Sequence, residues 1–560
     1  MLPLGLMAAT SVGLGPLSSE GGISLDGMLA VWSSPSTYEV LATTLVFAVG
    51  SLALALLVGV GFAFLVERTD TPLRGFAYVA VPLTIAMPGM LYGIAWVLLL
   101  SPEIGLLNKF LMALFGAEEG LVTGWLGLGL IDPPFDAYTL PSMTVVEGLR
   151  LGAVVFLMTV GVFRNMDATL EEAAIVSGVA PWRVAVHISM RLMLPGILAA
   201  AIYVFTSGME AFEVPAIMGM PVGMHTLSTK IYLLSTTADY VRAAALGVLF
   251  IFLAVVLVFA YRRATGESVR YATVRGRAFR ARPFGLGRWR LPAAAVIVVY
   301  FAIVVCSPLF IMIWASIQPY YRLPTIEALG DITFNAYVNV LTHPYGLGAV
   351  GNSILVTFLA PAIAIIFAAL IAWFAVRTQY RGRRVLDVLA FLPHAVPSTI
   401  LALGFIYLFL APPANAIPIY GTAWIIALAL GIRYLAFSSR SMNSALVQVH
   451  RELEEAAQTA GITWLRVMRH IVWPLLMPTV VATWAFVALN SVRDATFALM
   501  LASNDGRVLP MLMWDNWQSG HVPEAAATGV LLLLAILLIL GSAKLFDYRR
   551  NRRLSLQADA

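Results

Sequence analysis

Apolar runs of about twenty residues recur along the chain, separated by shorter polar stretches. They fall at about 41–66, 76–100, 145–163, 192–212 and 243–261, and again at about 292–317, 349–376, 386–411, 419–437, 474–499 and 525–545. Each is near the ~20 residues that carry a helix across a hydrocarbon core of ~30 Å. The pattern predicts an all-α, polytopic transmembrane helical bundle. The opening LPLGLMAAT is too short to span and has no basic residues before it, so it does not read as a signal peptide. It resembles SPLFIMIWASI (307–317), the end of the run that opens the second half. The expectation is therefore a chain that begins partway through its first transmembrane helix.

Composition agrees. The 560 residues are 60% hydrophobic and 12% charged, with mean hydropathy +0.86, where a soluble domain is about 45–50% apolar and about 25% charged. A net charge of +5 could suggest a nucleic-acid partner. The arginines lie between apolar runs, however, so membrane topology accounts for them and no nucleic acid is expected. The single cysteine, Cys306, excludes an intrachain disulfide and reads as a small core residue.

Two polar inserts interrupt the apolar pattern. EEAAIVSGVAPWRVAVHISMRLMLP (171–195) and EEAAQTAGITWLRVMRHIVWPLLMP (454–478) align without a gap at a spacing of 283 positions. Further upstream, ERT (67–69) matches VRT (376–378) at a spacing of 309, so the first half carries 26 extra residues in an external loop around 101–143, with Trp125, Asp132, Pro133 and Pro134 as a candidate contact surface. The chain therefore reads as a tandem duplication of about six helices per half. We place a first domain at 1–265 (core about 41–261), a basic linker at 266–291, and a second domain at 292–560 (core about 349–545). Placing the inserts and the C-terminus on one side puts 27 of the 35 lysines and arginines there, which makes that side cytoplasmic.

Each insert should begin as a short helix, over 169–178 and 453–461, with acids in its first turn complementing the dipole. The alanine pairs Ala173–Ala174 and Ala456–Ala457 leave a low profile for a close-approaching surface. Gly178 and Gly461 stand where a helix C-terminus calls for a left-handed residue. A second short helix, 182–188 or 465–471, should lead to Pro195 or Pro478. Two matched polar elbows on one membrane protein suggest docking of a soluble partner.

The pattern Glu-Ala-Ala, three residues, Gly, nine residues, Ile (172–188 and 455–471) resembles the coupling motif of type I ABC importer permeases, and the whole layout resembles their fused two-domain form, such as ferric-iron permeases. By that resemblance Glu171, Glu172, Ala173, Ala174 and Gly178, with Glu454, Glu455, Ala456, Ala457 and Gly461, form two ATPase-coupling sites. The partners it implies are two copies of a cytoplasmic ABC ATPase, a periplasmic or extracellular solute-binding protein, and the lipid bilayer of a bacterial plasma (inner) membrane. The proline often found after the motif's Ile is present as Pro474 but is Arg191 in the first copy, which predicts a less regular helix entry there.

Ionisable residues in spans are costly and mark function. SGMEAFEVPA (207–216) and NSVRDATFAL (490–499) match, so Glu210 corresponds to Arg493, and Glu210, Glu213, Asn490, Arg493 and Asp494 are candidate pathway or gate residues. The alternative is that they sit at helix ends in water. Arg150 and Arg433 read as snorkelling to the interface. Pro88 and Pro397 are equivalent and should kink the third helices. The chain has no glycine-lysine phosphate loop, no metal spacing among its seven histidines and no nucleophile elbow, so no catalytic residue, metal or cofactor is expected. The leading reading is the transmembrane subunit of an ATP-driven importer, its solute ferric iron or else thiamine, polyamine or aminoethylphosphonate. An ion-coupled secondary transporter and a non-transporting scaffold are the alternatives from other classes.

Overall fold

All eleven apolar runs form helix. The computed structural model describes residues 2–14, 23–115, 132–166, 169–265, 283–378 and 382–558. Trp125 and most of the basic linker lie outside them. Seven helices among the described residues are long and apolar enough to cross a membrane unbroken: Pro35–Arg68, Leu140–Arg164, Trp182–Glu210, Gly287–Ser316, Gly346–Arg377, Trp464–Arg493 and Val522–Phe546. Three more are bent pairs: Arg74–Ala86 with Gly89–Leu100 at 99°, Val388–Ala395 with Ser398–Leu410 at 109°, and Ala423–Arg433 with Leu435–Gln448 at 50°. The remaining run lies in the helix Tyr240–Thr265. Among the described residues there is no strand, only two isolated bridges. This is the all-helical polytopic bundle that the apolar periodicity predicts.

The chain divides into two compact units. The first comprises Val31–Lys230 and Leu249–Ile332, the second Met1–Ala30, Ile231–Val248 and Thr333–Ala560. Each unit thus takes its opening helix from the other half of the sequence. In the first unit Ser307–Ser316 packs on Gly89–Leu100, Tyr300 lies 4.7 Å from Phe62, and the Tyr321 hydroxyl donates to the Leu98 carbonyl at 3.1 Å. In the second, Leu2–Ser11 packs on Ser398–Leu410, with Pro3 against Gly404 and Met7 against Gly247. Since Gly89–Leu100 and Ser398–Leu410 are equivalent segments, the two short apolar helices occupy matching places. That fits the sequence similarity between LPLGLMAAT and SPLFIMIWASI.

Small residues let the helices approach, as membrane packing requires. In the first unit Pro35–Arg68 lies along Leu140–Asn165, and a Cβ at Gly59 would come within 2.5 Å of the Gly152 carbonyl oxygen. In the second unit Ile365, Ala368, Ala372, Met442, Leu446 and Val449 form a core that also takes in insert residues Ala457, Val467 and Val472. Cys306, expected in a core, is exposed. The lipid-facing surface of such a helix is as apolar as its interior, so apolar neighbours in sequence do not imply burial.

Candidate functional site: twin inserts and broken helices

The insert helices run Thr169–Val176 and Arg451–Thr459, with Glu171 and Glu172, or Glu452 and Glu454, in their first turns. Both end at a left-handed glycine, Gly178 at φ +82 and Gly461 at φ +79, and a Cβ built on either meets nothing within 4 Å. Val179 donates its backbone N–H to the Ala174 carbonyl and Ile462 to that of Ala457, both at about 3 Å, the six-to-one closure of a glycine-terminated helix. The elbow geometry read from the glycines therefore forms in both copies.

The expected second short helix is not separate. A single turn, Pro181–Val184 or Trp464–Val467, passes through a π turn, Ala185–Ser189 or Met468–Val472, straight into the spans Met190–Glu210 and Trp473–Arg493. The π turn falls at the same register in both copies, although only the second has Pro474. Arg191 in its place therefore does not make the first entry less regular. The proline common to both, Pro195 or Pro478, lies inside the following helix.

The paired glutamates divide their roles. Glu171 and Glu454 are buried, while Glu172 and Glu455 face out. Arg68 Nη1 lies 3.2 Å from Glu171 Oε2, with side chains 3% and 4% exposed. Arg377 Nε lies 2.8 Å from Glu454 Oε1, both side chains 8% exposed. Each arginine also donates through Nη2 to a backbone carbonyl just before the insert, Met166 at 3.1 Å and Val449 at 2.7 Å. Met166 and Val449 are themselves equivalent at the 283 spacing. Each half therefore builds one buried knot from the end of its long helix, the end of the preceding helix and the start of the insert. In the first half the Ser189 hydroxyl also donates to Glu171; the second has Val472 at that position. The alanine pairs split in the same sense, Ala173 and Ala456 outward, Ala457 into the core.

The outward faces are more apolar than a solvated loop needs. Val176 is 88% exposed, Trp182 63%, Leu465 70% and Trp464 51%. Such clustered apolar exposure marks an interaction surface.

Deeper in each unit the third helix is broken where Pro88 and Pro397 stand. The residue before a proline is driven out of the helical region, and Met87 and Val396 are extended, at ψ 133 in both cases. The outcome is a sharp break rather than the expected kink. Arg433 does not snorkel. It is 7% exposed, and its Nη1 donates to the carbonyls of Pro393 (3.2 Å), His394 (3.3 Å) and Val396, satisfying backbone that the break leaves open. Its equivalent Arg150 turns inward to Glu147, which is fully buried, through a two-pronged contact at 2.6 and 3.1 Å. Arg433 stays inside because the break offers it acceptors at that depth, and Arg150, its side chain 26% exposed, is held by a buried carboxylate.

Around Arg150 the first half gathers further polar groups. Glu213 is within electrostatic reach, and its carboxylate lies against Gly89, the first residue of the helix after the break, where the dipole favours an anion. The fully buried Tyr92 hydroxyl and the Trp96 ring nitrogen find no partner among the described residues. At the corresponding positions the second half has Leu430 for Glu147, Thr496 for Glu213 and Leu401 for Tyr92. Of the other candidate pathway residues, Glu210 and Arg493 are the last residues of their helices, in different units. Arg493 donates to Asn490 at 2.6 Å, and the Asp494 carboxylate accepts the Phe497 backbone N–H at 2.8 Å. Sequence reasoning missed Arg68 and Arg377, counting them only as interfacial charges. The signal was there, since both stand in the ERT and VRT matches that fix the upstream alignment.

The comparisons with known proteins converge. The chain is 23% identical over 490 residues to a ferric transport system permease protein of Actinobacillus pleuropneumoniae, covering 86% of this chain and 67% of that one. It is 23% identical over 505 residues to an Fe(3+)-transport system permease protein of Haemophilus influenzae, covering 90% and 88%. A sulfate transport system permease protein of Salmonella typhimurium is 30% identical over 240 residues, 41% of this chain and 86% of its own length. The model of the binding-protein-dependent transport system inner membrane component matches twice, over residues 52–270 and 363–555. With both halves matched, this multi-pass membrane chain belongs to the family of binding-protein-dependent transport inner membrane components, as a permease of the ABC importer type.

Proposed function

We propose that this chain carries both permease halves of an ATP-driven importer, and that its two inserts seat two copies of a cytoplasmic ABC ATPase. The observation that carries this reading is the twin elbow: the same exposed apolar face, left-handed glycine and buried arginine–glutamate knot, built once in each half. On this reading the inserts and the C-terminus are cytoplasmic, ATP is hydrolysed in the separate subunit, and a solute-binding protein delivers the solute from the far side. Glu172, Glu455, Ala173, Ala456, Gly178 and Gly461 supply the docking face, while Glu171, Glu454 and Ala457 support it from behind.

The solute we propose is a cation, with ferric iron, the cargo named for two of the relatives, as the leading candidate. Relatives named for sulfate and for 2-aminoethylphosphonate make an anion the competing class. The support for a cation is the first half's polar cluster, where Glu147 and Glu213 outnumber Arg150 at the helix break. We assign Glu210, Glu213, Asn490, Arg493 and Asp494 to the pathway on the same footing. The test is affinity capture of the tagged chain from membranes co-expressing candidate ABC ATPase and solute-binding subunits from the same source, followed by uptake of labelled ferric iron and labelled sulfate into proteoliposomes. ATPase capture with ATP-dependent iron uptake is expected. No ATPase on the wild-type chain would overturn the importer reading, and sulfate uptake in place of iron would overturn the cation.

A further inference from the structure

The buried knot behind each insert has a consequence for how force crosses the membrane. Each insert runs through a π turn straight into the helix that follows it, so a partner's pull reaches that helix directly. The long helix of the same half, by contrast, lies far away in sequence and moves with the insert only if something ties the two together. Here Arg68 grips the insert by Glu171 and the preceding helix by the Met166 carbonyl, from the last turn of Pro35–Arg68. Arg377 does the same from the last turn of Gly346–Arg377, through Glu454 and the Val449 carbonyl. Opening such a pair would strand a desolvated charge, which is costly. Load applied to the insert therefore moves the long helix with it before the pair yields.

We propose that Arg68 and Arg377 are positioning residues that latch each insert to the long helix of its own half, so that movement of a docked ATPase is carried to that helix as well as to the one that continues from the insert. This rests on the docking reading above. The arrangement is duplicated down to the equivalent carbonyl. Simple burial of an apolar loop would not need that, because apolar packing of the kind seen at Ala457, Val467 and Val472 holds the insert without any charge.

The experiment uses the full chain with its ATPase in nanodiscs, in a Cys306→Ser background carrying Thr43→Cys, on the long helix Pro35–Arg68 itself, as its single reporter thiol. Maleimide labelling is read with and without ATP plus vanadate, alongside ATPase capture and hydrolysis. Arg68→Glu and Glu171→Arg are expected to retain the ATPase and its hydrolysis while the nucleotide-driven change in labelling falls about 10-fold. The charge swap Arg68→Glu/Glu171→Arg should recover most of it. Glu171→Gln, which preserves the shape and one acceptor oxygen but removes the charge, guards against misfolding and should give an intermediate loss. A wild-type labelling change in either single variant, a swap no better than the singles, or loss of ATPase capture in step with labelling would overturn the latch. Absence of ATPase on the wild-type chain would instead overturn the docking reading.

Discussion

Gly178 and Gly461 separate what the elbow costs the chain from what it offers a partner. Both hold φ near +80° with open space where a Cβ would sit. Alanine at either site therefore meets no clash, and its cost is the left-handed backbone alone, about 1–2 kcal/mol. Asparagine visits that region more readily, so Gly461→Asn should cost less than Gly461→Ala. The sites lie in different units, and Gly178→Ala/Gly461→Ala should cost the sum of the two. Thermal unfolding of the purified chain in detergent checks these values. Function should follow the opposite order. Alanine and asparagine both push a side chain into the space a docked ATPase would fill, and asparagine pushes further, so capture should fall from glycine to alanine to asparagine. Gly461→Asp, adding charge, should abolish it. If asparagine restores capture that alanine lost, the glycine serves backbone geometry only. If neither changes capture, the elbow is not a contact surface and the docking reading fails.

Three further outcomes follow from the interior. Arg433→Met removes the one donor shared by the carbonyls of Pro393, His394 and Val396 and should destabilise the chain by about 2–4 kcal/mol, because each stranded carbonyl keeps part of its desolvation cost; urea or thermal unfolding against wild type reads it. Arg150→Met should cost about 3–5 kcal/mol by leaving the Glu147 carboxylate buried and unpaired, and Arg150→Met/Glu147→Leu, which restores the leucine found at position 430, should regain most of it. Burial pushes the Asp515 carboxyl above its usual range despite the opposing pull of Arg507 and His343. A carboxyl raised in the folded state contributes stability below its unfolded pKa and loses it as pH rises through the folded value. The difference in Tm between wild type and Asp515→Asn should therefore move against the wild type as pH rises from about 4, and a pH-independent difference would contradict it.

The helical class and the spans were legible because lipid leaves a membrane chain few options: an apolar run of sufficient length becomes helix regardless of detail. The elbows were legible because glycine at a helix end and acids in a first turn act locally. What stayed hidden depended on partners far apart in sequence. Glu171 and Glu172 are neighbours of one residue type, and only the fold decides that one faces Arg68 and the other faces out. Arg150 and Arg433 look alike as charges near helix ends, yet one meets a carboxylate and the other a ring of carbonyls, because the break at Pro397 creates acceptors that no local pattern announces. The exchange of opening helices between the units was equally invisible, since apolar periodicity specifies a helix without specifying its neighbour.

The two halves have diverged in some places and held in others, and the division is informative. Held are the elbow glycine, the arginine–glutamate–carbonyl knot, the π turn and the proline break; lost in one half are Glu147, Glu213 and Tyr92. On the docking reading two copies of one ATPase would present the same surface twice, so any elbow that drifted would meet an unchanged partner and couple less well than its twin. A solute is a single small body and meets no such requirement, so one half can keep charge where the other becomes apolar. A duplicated chain that served two different soluble partners would be expected to diverge at the elbows as freely as at the break. Exchanging the inserts 169–191 and 452–474 between halves should therefore preserve ATPase capture, whereas transplanting Leu430, Thr496 and Leu401 into the first half should spare capture and abolish uptake.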